Sequence, residues 1–365
     1  MFERRLIKPD GRHLILYARD AHGPIPGTIA APAPKGEGVT PRSHLRFHPL
    51  RGEWVAYASH RQNRTFLPPP EYNPLAPSSS EEAPTELPEG AYEAAVFDNL
   101  FPTLSPHPGE PPAGLSVPVR PGYGACEVVV FTQDPKGSLG ELPLDRIELV
   151  FEIWAQRTAD LGARRGIEYV MPFENRGVEV GVTLQHPHGQ IYAYPVVPPL
   201  PARELDEARR YFDMTGLSLL GAMIDNEVKE GTRMLYEGPH VVAFVPVCAR
   251  YSYEVWIAPR AATGRLDQLS AAQRADFARA LKTILRKYDL LWKRPFPYLM
   301  AFHQGPTDDK KHPYAHMHLE FSPPLRSPTK LKYLAGTELG AGLFAADSLP
   351  EEKAAELRAV PVDFV

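Results

Sequence analysis

Apolar residues fall on one face of a helical period in three stretches of the chain. Asp145 to Leu161 brings Ile147, Val150, Phe151, Trp154 and Leu161 together, Ala202 to Val228 is amphipathic with Gly216 as its weak point, and Ser270 to Trp292 opens with Ser270 and Gln273 three apart. These spacings predict three helices, the last with a capping box. Apolar, β-branched runs predict strands: EWVAY (53–57), EVVVF (127–131), IEYVMPF (167–173), QIYAY (190–194), VVAFV (241–245), YEVWIA (253–258), YLMAFH (298–303) and HMHLEF (316–321). The strands cluster before and after the helices instead of alternating with them. The pattern therefore predicts an α+β fold with mainly antiparallel sheet.

The pattern also repeats. IEYVMPFEN followed by HPHGQIY (186–192) echoes PYLMAFHQ followed by AHMHLEF (315–321), with Tyr169/Tyr298 and Phe173/Phe302 each 129 positions apart and His188/His318 130 apart. A strand and an amphipathic helix precede each copy. Two similar halves, 1–200 and 201–365, would account for this.

Composition narrows the picture. Of 365 residues 43% are hydrophobic and 23% charged, enough for an enzyme with an internal cleft, and a net charge of −4 makes a nucleic-acid partner unfavourable. The 41 prolines concentrate in 67–90 and 105–122, where missing backbone donors predict loops without regular ladders. The N-terminal segment is charged from residue 3 and lacks a signal-like core, and no apolar run is long enough to span a bilayer, so a cytoplasmic location is expected. Cys126 and Cys248, both in apolar segments, are expected to be buried small hydrophobes, with no disulfide framework.

Residues two apart on a strand share a face, so His186 and His188 are expected to project together, as are His316 and His318. Gly189 would let a ligand or another backbone approach closely, and Gln190 returns to the face of His188. A largely neutral imidazole whose second nitrogen is fixed by a carbonyl is a competent nucleophile. With an amide donor beside it, the arrangement suits two-step nucleotidyl transfer.

HPHGQ preceded by FENRG (173–177) resembles the active-site signature of the galactose-1-phosphate uridylyltransferases, members of the histidine-triad superfamily built from two similar halves. RFHPLRGEWVAYASHRQNR (46–64), VFDNLFPTL (96–104), AFHQGP (301–306), HMHLEFSPPLRS (316–327) and KYLAGTELGAG (332–342) resemble family segments in the same order. The resemblance implies a ping-pong exchange in which His188 takes a uridylyl group from UDP-glucose and gives it to galactose 1-phosphate. Gln190 and Asn175 would steady the phosphate, Arg61 and Arg64 would neutralise the diphosphate, and Phe97, Asn99 and Thr183 would border the nucleotide. Lys332, Tyr333, Gly336 and Glu338 would contact the sugar across a homodimer interface. Glu204, His303, His316 and His318 would hold one Zn or Fe ion, a set suited to either metal.

Two departures qualify the resemblance. Asn73-Pro-Leu-Ala76 stands where the family often has CxxC, and Pro135 where it has a further histidine, so of a first zinc set only His186 remains. That site is expected to be without metal, its loop held by packing. Phe344 falls where some members place a polar sugar-binding residue, which leaves the hexose open. An ADP-sugar or dinucleoside-polyphosphate phosphorylase keeps the same nucleophile with another nucleotide, and a nucleotide-sugar binding protein without turnover is the remaining alternative.

Overall fold

The computed structural model describes residues 1–20, 42–63, 72–78 and 84–363. Its first half contains strands β1 (Phe2–Ile7), β2 (His13–Ala18), β3 (His44–His48), β4 (Glu53–Tyr57), β5 (Ala94–Asp98), β6 (Val119–Pro121) and β7 (Ala125–Val130). Helix α1 (Leu144–Gly162) and strands β8 (Tyr169–Arg176) and β9 (His188–Tyr194) complete it. Helices α2 (Pro199–Thr215) and α3 (Leu219–Glu230) follow, then β10 (Met234–Glu237), β11 (Val241–Phe244), β12 (Val255–Pro259), α4 (Ala271–Leu291), β13 (Tyr298–His303) and β14 (His318–Ser322). The chain closes with β15 (Leu325–Ser327), β16 (Lys330–Leu331) and α5 (Pro350–Arg358).

Among the described residues, eleven strands form one sheet in the order β1-β2-β5-β7-β9-β8-β13-β14-β12-β11-β10. Every ladder in it is antiparallel. The order is palindromic about β8 and β13: β7-α1-β8-β9 on one side is repeated as β12-α4-β13-β14 on the other. The α+β prediction and the repeated unit are both present.

Register decides which residues of the repeat correspond. Phe173 lies opposite Ala301, and Phe302 opposite Leu319. Opposed residues in antiparallel strands share a face, so Tyr169 and Phe173 point to one side of the sheet while Tyr298 and Phe302 point to the other. The pairs 129 apart therefore do not match in side-chain direction. His188 and His318, 130 apart, do.

One face of the sheet packs on α1 and α4. Val129, Val170, Ile191, Met300, Phe302 and Leu319 from the strands join Phe151, Trp154, Phe277 and Leu281 from the helices in the principal core. The Phe151 and Phe277 rings meet at 5.0 Å, which ties the two copies of the helix together. The opposite face carries His188, Gln190 and Asn175 in the first half, and His303, His318 and Glu320 in the second.

Several expectations change. The predicted helix 202–228 is two helices, because Gly216 adopts φ 71 and ends α2 before Ser218 caps α3 through a bond from the Gly221 N–H. Within the proline-rich stretch 105–122, Val119–Pro121 forms a strand beside β3, tolerated because it is an edge strand. Cys126 is buried but Cys248 is exposed, since the chain turns outward after β11. The β1–β2 hairpin and α5 were not foreseen, although HLILYA packs strongly: Leu14 and Leu16 are fully buried. No helix among the described residues is long and apolar enough to cross a membrane.

Candidate functional site

β9 begins at His188, not at His186, so the two imidazoles do not share a strand face. His188 is half-buried and donates from Nδ1 to the His186 carbonyl at 2.7 Å, which makes Nε2 its basic nitrogen. His186 is 3% exposed; its Nε2–H donates to Thr132 O at 2.7 Å and its Nδ1 accepts from Asn73 Nδ2 at 3.0 Å. Burial lowers its pKa, so it stays neutral. Gly189 is required by packing: a Cβ there would lie 2.8 Å from Phe173 O and 2.9 Å from the Phe131 ring.

A cleft of about 340 Å3 opens beside His188, lined among others by Asn175, Gly177, Val182, Leu184 and Arg294. Asn175 Oδ1 is buried without a hydrogen-bond partner. Gln190 follows on the face of His188 and accepts from Asn99 Nδ2 at 3.3 Å; Asn99 is itself fixed by Phe101 N–H at 2.9 Å. Arg61, in the single turn Ser59–Asn63, donates through Nη1 to Phe101 O, Thr103 Oγ1 and Tyr192 Oη, and Tyr192 packs edge-on against Phe173 at 5.1 Å. Thr183 sits half-buried between Val182 and Leu184 of the lining. Phe97 is only 3% exposed, packed with Leu14, Leu75 and Leu87. Arg64 lies outside the described residues.

The residues expected to touch sugar stand elsewhere. Lys332 pairs with Glu338 and Asp347, Glu338 accepts the Ala335 and Ala345 N–H groups, and Gly336 opens the turn Gly336–Ala341. Tyr333, Leu339 and Leu343 are 76%, 65% and 70% exposed. None of this segment lines the cleft beside His188.

The second half gathers a different constellation. Ligand atoms of Glu204, His303, His318 and Glu320 lie within 4.8 Å of one another. His303 donates from Nδ1 to Glu204 at 2.8 Å, and that hydrogen bond raises its pKa against the opposing effect of burial. His318 is buried with neither ring nitrogen partnered, and burial pushes its pKa down to about 4. Two imidazoles and two carboxylates, with both His318 nitrogens and Glu320 Oε2 orphaned, suit a divalent metal. His316 lines the same pocket, but its nitrogens meet Pro259 O at 2.8 Å and Ser218 Oγ at 2.9 Å. Glu320 was missed from the sequence; its signal was position, two residues beyond His318 on one strand. At His186 the surrounding amide and carbonyl do not form a metal donor set.

Comparison with known proteins gives the family. A family model described as galactose-1-phosphate uridyl transferase, N-terminal domain, matches residues 37–198, and the C-terminal domain of the same family matches 204–364. The chain belongs to the galactose-1-phosphate uridylyltransferase family. The galactose-1-phosphate uridylyltransferase of Thermotoga maritima is 37% identical over 325 residues, covering 87% of this chain and 99% of the relative. That of Rattus norvegicus is 30% identical, covering 87% and 88%. A solved uridylyltransferase structure superposes with a TM-score of 0.79 at 32% identity, covering 87% of this chain and 98% of that one. An Arabidopsis thaliana ADP-glucose phosphorylase with bound ADP-glucose gives 0.67 at 26% identity, covering 87% and 99%.

Proposed function

We propose that the chain is a UDP-glucose:hexose-1-phosphate uridylyltransferase that works by double displacement through His188, with galactose 1-phosphate as acceptor. The observation that carries the reading is the 2.7 Å bond from His188 Nδ1–H to the His186 carbonyl, which makes Nε2 the basic and nucleophilic ring nitrogen. In the first half-reaction Nε2 bonds to the α-phosphorus of UDP-glucose, the bond to the bridging oxygen breaks, and glucose 1-phosphate leaves with that electron pair. In the second, a phosphate oxygen of galactose 1-phosphate attacks the same phosphorus and His188 is released. The Gln190 and Asn175 amides and the Arg61 guanidinium supply donors for charge on the phosphoryl oxygens.

The half spanning 1–200 would carry this chemistry, and the half spanning 201–365 the metal cluster and the sugar-contacting segment. Because the segment carrying Lys332, Tyr333, Gly336 and Glu338 exposes Tyr333, Leu339 and Leu343, a second copy of the chain would take it up and receive these residues at its site. Glu204, His303 and His318, joined by Glu320 or His316, would hold one Zn or Fe ion, which would crosslink α2 to the sheet. We place the protein in the cytoplasm.

Mixing enzyme with UDP-glucose and no acceptor should release about one glucose 1-phosphate per site in a burst. Absence of a burst with UDP-glucose, but a burst with ADP-glucose, would transfer the reading to the phosphorylase.

A further inference from the structure

We propose that Asn73 is a positioning residue for the His188 imidazole, acting through His186, and that the N-terminal hairpin holds Asn73 in place; this rests on His188 being the nucleophile. Asn73 Oδ1 accepts the Leu75 N–H at 3.0 Å, which turns Nδ2 towards His186 Nδ1, 3.0 Å away. The ring is held on its other side by Thr132 O. Two opposed bonds thus fix one neutral tautomer and one ring position.

That position matters because the His186 carbonyl orients His188. Among the described residues the lead-in to β9 has little other backbone anchoring: Pro187 has no N–H, and its carbonyl accepts the Phe131 N–H at 3.1 Å. Displacing the His186 ring would move its carbonyl, and with it the His188 Nδ1–H and the direction of Nε2. Misplacement of a reacting atom by about 1 Å costs on the order of 100-fold in rate.

The strip that carries Asn73 is braced from outside. Lys8, 2% exposed, reaches the Glu86 carbonyl and carboxylate, Arg12 Nη2 meets Glu86 Oε2 at 2.9 Å, and the Glu86 N–H donates to Pro74 O at 2.9 Å. Leu14 and Leu16 pack with Leu75 and Leu87 of the strip in one apolar cluster. The hairpin that supplies these groups, Phe2–Ala18, precedes residue 37, where the match to the family model begins. A donor amide and the N-terminal hairpin together do here what a metal would do by crosslinking: they tie residues 72–78 and 84–88 to the start of β9.

The test compares Asn73→Ala with Asn73→Asp in the full-length chain. Aspartate keeps an acceptor for the Leu75 N–H but offers no donor to His186, so a role confined to the local turn predicts wild-type behaviour for Asn73→Asp. Positioning predicts otherwise. Asn73→Ala should lower kcat for uridylyl exchange about 10- to 100-fold with KM for UDP-glucose within about twofold. In Asn73→Asp the new carboxylate stabilises protonated His186, as Asp134 already does. The His186 ring signals should then titrate at higher pH than in wild type by NMR, and kcat should fall as pH rises through that transition, a limb that the wild type lacks. Wild-type kcat in folded Asn73→Ala, or a wild-type pH profile in Asn73→Asp, would overturn the proposal. If wild type releases no glucose 1-phosphate from UDP-glucose, the functional reading fails and the positioning role with it; an NMR shift in Asn73→Asp would still register the contact, separating that failure from a wrong hydrogen bond.

Discussion

The two histidine pairs are built alike and used differently. In each, the first imidazole precedes its strand and bridges outward: His186 to Thr132 O and the Asn73 amide, His316 to Pro259 O and the Ser218 hydroxyl. The second opens the strand on the same sheet face. His188 is half-buried beside a cleft with Nδ1 fixed by a carbonyl, whereas His318 is buried against Trp256 and His303, at 5.0 and 5.1 Å, with both nitrogens unpartnered. A repeated backbone therefore supplies a position, and the neighbours supply the chemistry: a half-buried imidazole beside amides would suit a phosphate, while a dry one beside carboxylates would suit a cation.

The sharpest break in that comparison is His188→Gly. Uridylyl transfer should fall by more than about 10⁴-fold while the melting temperature stays near that of wild type, because the lost ring faces the cleft and not the core. A variant that still forms a covalent nucleotidyl adduct would end the nucleophile assignment.

The metal cluster should show the inverse behaviour. His303→Ala, or removal of the ion by chelation, should cost stability more than rate per folded molecule, because the group holds Glu204 of α2 to β13 and lies away from the cleft. Removing one partner of a buried charged cluster typically costs about 3–5 kcal/mol. Metal analysis should find close to one transition-metal ion per chain, lost in His303→Ala. A rate that collapses while thermal stability holds would make the second pair catalytic too.

What the sequence made legible follows the same division. Helix periods and apolar runs placed α1, α4 and most of the central strands because burial imposes those patterns directly. The motif around His188 was legible because one short strand and its lead-in contain it. Glu320 was not, because membership of the cluster depends on β14 pairing with β13, a contact between strands that periodicity cannot rank. The face of each β8 and β13 residue was equally hidden: the echo at 129 positions is one residue out of phase, and a single step reverses every side chain. Asn73 came to notice only as a missing cysteine; its bond to His186 spans 113 positions.

Beneath the cleft, on the helix-covered face, Glu174 tests how much charge the first half tolerates. It is buried, accepts from Tyr298 Oη at 3.0 Å, and burial raises its pKa to about 7 despite nearby Arg176. An unfolded glutamate ionises near 4.5, so the folded state holds the proton longer and stability is lost as pH rises from about 4.5 through 7. The loss totals about 3 kcal/mol above that window. Glu174→Gln should flatten the slope in urea denaturation at pH 5 and pH 8. An unchanged slope would mean that Arg176 keeps Glu174 ionised throughout.

The smallest expected effect is the most discriminating between the halves. Ser218 accepts the Gly221 N–H at the start of α3 and donates to His316 Nδ1, so it stands to His316 as Asn73 stands to His186. Ser218→Ala removes one helix cap and one imidazole partner, a loss of about 1 kcal/mol. If the second pair serves only the fold, kcat and the burst rate should match wild type, whereas the corresponding contact in the first half is proposed to govern both. The His316 carbonyl has no nucleophile to aim, so loosening its ring should cost stability and nothing else. A Ser218→Ala enzyme with reduced burst rate and unchanged melting temperature would show that the two pairs are coupled across β8 and β13, and the division of labour between them would have to be abandoned.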